Sequence, residues 1–462
     1  MQRKDPDMAL FSYDKQLNKI ETPSGTITLS SLFLPFFIEM VLINTMGTIN
    51  TLSLSHYSQN SVAAVGAATQ LINMIFTFYG VVSAGSSIVI SQNLGAGKKE
   101  TAGDASIISI FFSAALSLGI GIILALSARP ILTMMNLKGE LLSDAILYFR
   151  ICITFSFFQA VYSALSSIFR SYGKPKTAVK ISLLVNLINA LLNILVVFRP
   201  FEIPLRGVWG IAVSSVISQC FGMILMFFLL KRSGFFPHFH KEIFRKLNLI
   251  TKILYIGVPG GIANLSYSLS QVVSTSIVAF IGTEAVSTKI YLDNIFFYVY
   301  VIGLALGQAT SLIISRLAGA RKYTQAMQLN KQNLKITLLC NIFFSVVIFL
   351  LGKPLLGIFT DNPAIIAVGH QIMLFDILVE IGRGFNHIEN SSLRGAGDVF
   401  YPMIISLTSC WVISILFAYL LGIVFGLGLL GCWIAFAMDE LFRGILYFRR
   451  FQSGKWKAKT IV

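Results

Sequence analysis

The chain carries a long internal repeat, in which landmarks of the first half recur about 224 positions later. A period of this length is not that of a solenoid, whose repeats run about 20–50 residues. It indicates two homologous halves. The stretches 93–99 and 316–322 match at a shift of 223 rather than 224. The landmarks at a shift of 224 are Pro35 with Pro259, Arg129-Pro130 with Lys353-Pro354, and 169–174 with 393–398.

The composition places both halves in a membrane. The chain is 55% hydrophobic and 12% charged, whereas soluble domains are about 25% charged. A spanning helix needs about 20 mostly apolar residues. We therefore predict an all-α integral membrane protein with about twelve transmembrane helices in two pseudo-symmetric six-helix lobes. The predicted spans are 28–54, 62–92, 103–128, 141–166, 177–198, 207–231, 251–281, 285–315, 325–351, 364–391, 401–422 and 427–449.

The net charge of +16 is distributed unevenly, because Lys and Arg fall mainly in alternate loops. This placement argues for a lipid bilayer rather than a nucleic acid as the partner. The positive-inside rule then puts both termini in the cytoplasm of a multi-pass protein of the cell (plasma) membrane. The basic segments on the predicted cytoplasmic side are Lys98-Lys99, 170–176, 231–252, 316–322, Arg394 and 449–459.

These features divide the chain into segments. Both lobes begin on the same side, so the repeat is parallel, with its axis along the membrane normal and a cavity between the lobes, an arrangement found in transporters. Pro35 and Pro259 should bend the first and seventh helices, either as static kinks or as bends that change during transport. The predicted segments are a cytoplasmic N-terminal segment 1–27, an N-lobe 28–231, a cytoplasmic linker 232–250, a C-lobe 251–450 and a basic cytoplasmic tail 451–462.

Several motifs resemble those of multidrug and toxic compound extrusion (MATE) transporters of the bacterial type. They are LSHYS at 54–58, VAAVG at 62–66, SQNLGAG at 91–97, RSYG at 170–173 and SLRGAGD at 392–398. The resemblance extends from about 28 to 450. It implies two lobes around a V-shaped cleft, and export of organic, often cationic, compounds driven by inward sodium or proton flow.

The chain departs from this family at its usual carboxylates. The acid that many members carry late in helix one is Asn50 here, and the Asn and Asp four apart in helix five are Asn189 and Asn193. The Glu of helix seven and the Asp of helix ten fall on Tyr267 and Arg383. The resemblance therefore does not tell which lobe couples ion flow to transport.

Ionisable residues deep in a bilayer cost about 2.5–3.5 kcal/mol on insertion scales and need a reason. Glu39 lies four residues after Pro35 in helix one, with no cation nearby in sequence. It is either a proton carrier or a carboxylate near the cytoplasmic face that is bonded to the end of another helix or solvated.

Helix ten is the most polar span, and Asp376, Glu380, Arg383 and His387 recur at helical spacing on one face. Asn386 lies beside them. Glu380 and Arg383 are spaced for an ion pair that is structural, ion-coupling or both. His387 is either a pH reporter or a core residue. The stretch EIGRGFN at 380–386 resembles a signature of one bacterial branch of the family.

Helix five presents Asn186, Asn189 and Asn193 on one face. Amide oxygens can ligate sodium, but without a nearby acid the pattern favours packing or polar substrate contact. Asn50 would complete the cluster if helix one packs against helix five, as the resemblance implies. At a shift of 224, Asn189 stands opposite Ile413.

The remaining charges and aromatic residues suggest smaller roles. Lys289 with Asp293 in helix eight, and Arg443 with its two acidic neighbours in helix twelve, have the spacing of local ion pairs. We expect Tyr267 and Tyr298 to line an apolar cleft that holds flat cations. The two acidic neighbours of Arg443 are Asp439 and Glu440.

The sequence thus predicts a secondary-active exporter of small organic, cationic compounds, and not an enzyme. The alternative is a flippase for a lipid-linked oligosaccharide or precursor, from a related two-lobe family. The sequence does not favour a channel, because it contains no repeated filter or pore-loop pattern. It does not favour an enzyme either, because it contains neither a phosphate-binding loop nor a hydrolase motif. No metal or cofactor is expected beyond the coupling ion, H⁺ or Na⁺. The oligomeric state stays open, and a monomer would satisfy the sequence.

Overall fold

The computed structural model describes residues 20–22, 25–55, 59–135, 137–198, 207–234, 246 and 248–462 of the chain. A short antiparallel hairpin, β1 (Ile20–Thr22) and β2 (Gly25–Ile27), precedes the first helix. The N-lobe helices are α1 (Leu29–Ser55), α2 (Gln59–Gly95), α3 (Lys99–Leu126), α4 (Ala128–Met134), α5 (Gly139–Thr154), α6 (Ser156–Ser171), α7 (Pro175–Phe198) and α8 (Gly207–Arg232).

The C-lobe repeats this order. A short 3-10 helix, Lys455–Lys459, lies three residues before the end of the described chain. The C-lobe helices are α9 (Asn248–Ile281), α10 (Thr283–Gly319), α11 (Tyr323–Leu350), α12 (Gly352–Gly357), α13 (Pro363–Ala396), α14 (Phe400–Ser409), a π-helical segment (Cys410–Ile415), α15 (Leu416–Tyr419), a second π-helical segment (Leu420–Val424) and α16 (Gly428–Gln452).

Each of the twelve predicted spans coincides with one of these helices or with a broken series of them. Within the described residues, nine stretches are long and apolar enough to cross a membrane, and the pair α5–α6, bent by 45°, adds a tenth. The other two predicted spans are α1 and α16, the latter with three charges near its middle. The predicted all-α membrane fold is therefore confirmed.

Some predicted features fall outside the described residues. These are most of the N-terminal segment, the last three residues of the motif at 54–58, and residues 235–245 and 247 of the linker. Lys246 of the linker is described, and its Nζ lies 2.6 Å from a carboxylate oxygen of Asp104 in α3. Pro35 and Pro259 lie inside α1 and α9, and both are buried. The segment boundaries and the bends at the two prolines stay predictions.

The two lobes keep a shift of 224 even where the sequence suggested 223. Helix α2 ends at Gly95 and α10 ends at Gly319. In the turns that follow, Lys98 N donates to Asn93 O, and Lys322 N donates to Leu317 O, both at 2.9 Å. The match at 223 was wrong, because it aligned Leu94 with Leu317 and the basic pair 98–99 with 321–322, whereas the helix ends align Gly95 with Gly319. In the structure the left-handed position after each helix is held by Gly97 (φ 77°) and by Arg321 (φ 57°).

The lobes differ along their fourth and fifth helices. The fourth span of the N-lobe is broken at Phe155 between α5 and α6, whereas its C-lobe counterpart α13 is continuous. The fifth span of the N-lobe, α7, is regular. Its counterpart contains the two π-helical segments.

The hydrophobic cores show where the lobes meet. One core joins α1 to α10, α11, α13 and α16, and another joins α2, α3 and α6 to the start of α9. Two further cores each belong to a single lobe. The lobes therefore share cores at one end and have separate cores at the other, as in a V. We call the shared end the closed end; it carries the turns 96–98 and 320–322 and the last residues of the chain.

Candidate functional site

A cavity of about 270 Å³ lies inside the C-lobe, away from the closed end. Helices α9, α10, α13 and α16 and the first π-helical segment form its walls. Its polar lining residues are Tyr267, Gln271, Lys289, Asp293, Tyr300, Asp376, Arg383, Ser414, Trp433, Asp439 and Glu440.

Two guanidinium groups and three carboxylates form a buried network along one side of this cavity. Arg383 Nη1 lies 2.6 Å from Glu380 Oε1, as the i,i+3 spacing predicted. Arg443 Nη2 lies 2.6 Å from Asp439 Oδ2 and 2.8 Å from Glu440 Oε1. Arg383 Nε lies 4.0 Å from Glu440 Oε1, so Glu440 links the two arginines. The network therefore joins α13 to α16.

Asp376 is a fourth buried carboxylate on the cavity wall. It accepts a hydrogen bond from Trp433 Nε1 at 2.7 Å. Its other oxygen has no hydrogen-bond partner among the described residues. Lys289 and Asp293 also line the cavity, and their side chains are 2.6 Å apart with that of Asp293 half exposed. The predicted local ion pair is present, at the solvent side of the cavity.

The other predicted residues of helix ten surround this network. Asn386 donates to the main-chain oxygen of Glu440 at 3.1 Å and to the Glu440 carboxylate. The His387 ring packs edge-on against Tyr300, with the ring centroids 5.1 Å apart. The Arg383 guanidinium lies over the same Tyr300 ring, 5.6 Å from its centroid. His387 therefore packs beside the cavity, as a core residue would.

Helix α16 and Tyr300 contribute to this site in ways that the sequence did not predict. Asp439, Glu440 and Arg443 form the local bridges that their spacing predicts, but all three are buried and belong to the network. Three charges in the middle of an apolar span were the available signal. Tyr298 is 59% exposed and is absent from the cavity wall. Tyr300, two residues further along α10, lines the cavity.

Glu39 in the N-lobe has a cation partner that the local sequence does not reveal. Arg170, at the end of α6, places Nη1 2.8 Å from both oxygens of the Glu39 carboxylate. Ser166 donates to the same carboxylate at 3.1 Å, and the guanidinium lies 5.4 Å from the centroid of the Phe36 ring. The expected bond to another helix is therefore present.

The predicted amide cluster forms where α1 packs against α7. Asn193 Nδ2 donates to Asn50 Oδ1 at 2.7 Å, and both Asn50 and Asn189 donate to Ser215 Oγ of α8 at 3.4 and 3.3 Å. Asn186 does not join them, because its amide donates to Ser182 O on its own helix. The cluster links three helices of the N-lobe through neutral groups.

Comparison with known proteins identifies the family of the chain. The MatE family model matches residues 35–195 and again residues 259–420, once in each lobe. The chain belongs to the MatE family.

Relatives of this MatE-family chain are bacterial transporters. An uncharacterized transporter, YisQ of Bacillus subtilis, is 37% identical over 94% of this chain and 96% of its own. A probable multidrug resistance protein, NorM of Thermotoga maritima, is 27% identical over 97% of each chain.

Solved structures share the fold at about 20% identity. One is the outward-facing conformation of a multidrug resistance MATE family transporter, with a TM-score of 0.86 over 96% of this chain and 98% of that one. Another is a MOP superfamily transporter from Pyrococcus furiosus described as having reverse polarity of its binding pocket, with a TM-score of 0.84 over 92% and 95%. The MatE-family chain is thus a multi-pass membrane transporter and not an enzyme, as the motifs predicted.

Proposed function

We propose that the chain exports small organic cations by alternating access, driven by protons that enter through the C-lobe cavity. The relatives described as probable multidrug resistance proteins support the substrate class. The V-shaped arrangement supports alternating access, since closure at one end and separation at the other is one of the two states it requires.

The charge balance of the cavity wall carries the proposal for coupling. Four buried carboxylates (Asp376, Glu380, Asp439 and Glu440) lie at the cavity wall or directly behind it with only the guanidinium groups of Arg383 and Arg443, so the fully ionised set has an excess of two negative charges. The Lys289–Asp293 pair adds no net charge. Uncompensated charge is costly inside a membrane protein. A bound proton or cation would lower that cost, so the occupancy of the cavity changes its free energy.

The hydrogen bonds favour a proton over sodium. Glu380, Asp439 and Glu440 are already held by guanidinium groups, whereas Asp376 has one oxygen without a described partner. A proton neutralises Asp376 without displacing any other group. A sodium ion would have to gather several oxygen ligands from carboxylates that are engaged with arginine.

The distribution of basic residues supports an orientation. The turns at the closed end carry Lys98, Arg321 and Lys322, and the C-terminal residues there are also basic. The positive-inside rule then places the closed end and both termini in the cytoplasm. In this orientation the lobes separate toward the outside, the side to which an exporter releases its substrate.

Transport in liposomes tests the proposal. The purified protein is reconstituted, and efflux of a fluorescent organic cation is followed under an imposed proton gradient or an imposed sodium gradient. We expect the proton gradient alone to drive efflux. Efflux driven only by the sodium gradient would show that sodium, and not the proton, is the coupling ion. Efflux that responds to neither gradient would overturn secondary-active transport.

Variants then locate the coupling site. Asp376→Asn should transport down a substrate gradient but lose at least tenfold of the proton-driven component. Asp361→Asn, an exposed carboxylate after α12, serves as the matched control and should behave like the parent. Equal proton-driven transport in both variants would remove Asp376 from the mechanism.

A further inference from the structure

A stripe of buried polar side chains runs along α11, away from the cavity wall. Asn330, Asn333, Thr337, Asn341 and Ser345 are all 0% exposed. Their spacing of three and four residues places them on one helix face, and members at both ends of the stripe bond to residues of α13. A purely apolar contact would be the usual way to pack these two helices.

The stripe connects two carboxylates of α13. Near one end, Asn341 Nδ2 donates to the main-chain oxygen of Glu380 at 2.9 Å and lies 3.4 Å from its carboxylate. At the other end, Asn330 Nδ2 lies 3.2 Å from Glu389 Oε2 and 3.0 Å from Ser392 Oγ. Glu380 belongs to the cavity network, whereas Glu389 lies nine residues closer to the closed end.

Glu389 is an isolated buried carboxylate. It is fully buried, and no Lys, Arg or His among the described residues forms an ion pair with it. The groups around it are the neutral Asn330 and Ser392, and Gln452 of α16 reaches Asn330 Oδ1 at 3.4 Å. Keeping this carboxylate ionised without a counter-charge would be costly. The position therefore suits a group that binds and releases a proton.

Several polar atoms along the stripe have no partner in the described part of the protein. They are Asn333 Oδ1, Asn341 Oδ1, Ser345 Oγ and Glu389 Oε1. Buried polar atoms in proteins are nearly always hydrogen-bonded, to protein or to internal water. Side chains that only joined helices together would have no need of these free acceptors. The stripe therefore has the chemistry to hold a row of water molecules.

The N-lobe offers an internal comparison. At a shift of 224, the buried serines of α3 stand opposite the stripe, but Ser156 stands opposite Glu380 and Leu165 stands opposite Glu389. Long amides therefore occur in the lobe that has the two carboxylates, and short hydroxyls in the lobe that lacks them. The serines are Ser106, Ser109, Ser113 and Ser117, opposite Asn330, Asn333, Thr337 and Asn341.

We propose that this stripe is a water-filled proton path inside the C-lobe, and that Glu389 is its terminal proton-binding group. The path would carry protons from Glu380 at the cavity toward the closed end. From 330 to 341 it covers about 16 Å along α11, at about 1.5 Å per residue, which is too far for one direct transfer. The amides hold the water, and the water carries the proton. This inference rests on the proposed proton coupling.

The first test separates the path from transport itself. Glu389→Gln keeps the size and the acceptor for Asn330 but cannot bind the proton. We expect it to lose at least tenfold of proton-driven efflux while exchange of labelled for unlabelled substrate at equal pH stays within twofold of the parent. Asn333→Leu, which blocks the middle of the stripe, should have the same effect. The N-lobe equivalent Ser109→Ala is the matched control and should change neither rate.

Infrared difference spectroscopy of the reconstituted parent provides a second measurement that needs no transport. A pH jump should produce carbonyl bands of protonated carboxylic acids, and one of these bands should be missing in Glu389→Gln while the band of Asp376 remains. If the parent transports without responding to protons, the proposed function fails and the path with it. If the parent is proton-driven but Glu389→Gln matches it in both measurements, the path alone is overturned.

Discussion

The side-chain amide of Gln92 in α2 donates a hydrogen bond across the lobe boundary to the carbonyl oxygen of Gly395, at 2.9 Å. At a shift of 224, Gln92 corresponds to Arg316, and Ser171 corresponds to Gly395. Arg316 donates to the carbonyl oxygen of Ser171. The closed end is therefore held by one contact made twice, about an axis between the lobes.

Two glycines control how closely the lobes approach at this end. A Cβ on Gly95 would lie 2.1 Å from Arg316 O, and a Cβ on Gly319 would lie 2.0 Å from Gln92 O. We predict that Gly95→Ala and Gly319→Ala each shift the population away from the closed state. Spin-label distances between the turns 96–98 and 320–322 should lengthen. Gly80→Ala, where an added Cβ meets nothing within 4 Å, is the control, and an unchanged distance in all three variants would contradict the prediction.

The Glu39–Arg170 pair should stabilise the N-lobe. Both side chains are mostly buried, so removing one partner leaves an uncompensated charge, which costs about 3–5 kcal/mol in buried pairs. We predict that Arg170→Met lowers the melting temperature in detergent, and that adding Glu39→Gln restores part of the loss. A coupling role requires more, namely that Glu39→Gln changes proton-driven transport. Glu140→Gln, an exposed carboxylate, should change neither property.

The amide cluster gives a prediction with its control on the same helix. Asn193→Ala removes the hydrogen bond to Asn50 that links α7 to α1. We expect a loss of stability of about 0.6–2 kcal/mol, the range for such contacts in membranes. Asn186→Ala removes only a bond to the main chain of its own helix and should cost less. Equal losses in thermal unfolding experiments would show that the cluster does not hold the helices together.

Arg383 should be needed for folding as well as for coupling. Without it, Glu380 loses its 2.6 Å partner and Glu440 loses one of two. We predict that Arg383→Met strongly lowers the yield of folded protein, measured by size-exclusion chromatography. The double variant Arg383→Met/Glu380→Gln should recover folding but not proton-driven transport. Recovery of transport would mean that this pair is only structural.

The last residues of the chain should act as a clasp at the closed end. Ile461 N donates to Gln92 Oε1 at 3.0 Å, and Lys252 Nζ donates to Ile461 O at 2.9 Å. Deleting 459–462 should therefore raise the rate at which a soluble maleimide reacts with a cysteine placed at position 88, because Ile88 belongs to the buried cluster that Ile461 packs against. Lys455→Ala, an exposed residue outside these contacts, is the control. An unchanged rate after the deletion would show that the tail does not hold this end.

The sequence was sufficient where a pattern is local. Hydropathy placed every span, and helical spacing placed Glu380 beside Arg383 and Asn189 beside Asn193. It was insufficient where partners are distant along the chain. Arg170 lies 131 residues from Glu39, and no periodicity brings α6 to α1. Likewise, the sequence predicts only local ion pairs for the charges of α16. The packing of α16 against α13 places Glu440 between two arginines.

The first π-helical segment, Cys410–Ile415, changes how the two lobes correspond. The family matches begin 224 residues apart and end 225 apart, and this offset of one residue is of the size that a π-turn takes up within a helix. One residue turns the remainder of a helix by about 100°. Within this segment, a shift of 225 makes Asn189 correspond to Ser414, which lines the cavity, rather than to Ile413. The first π-helical segment thus coincides with the change of register that pairs a polar residue of the cavity wall with a member of the amide cluster.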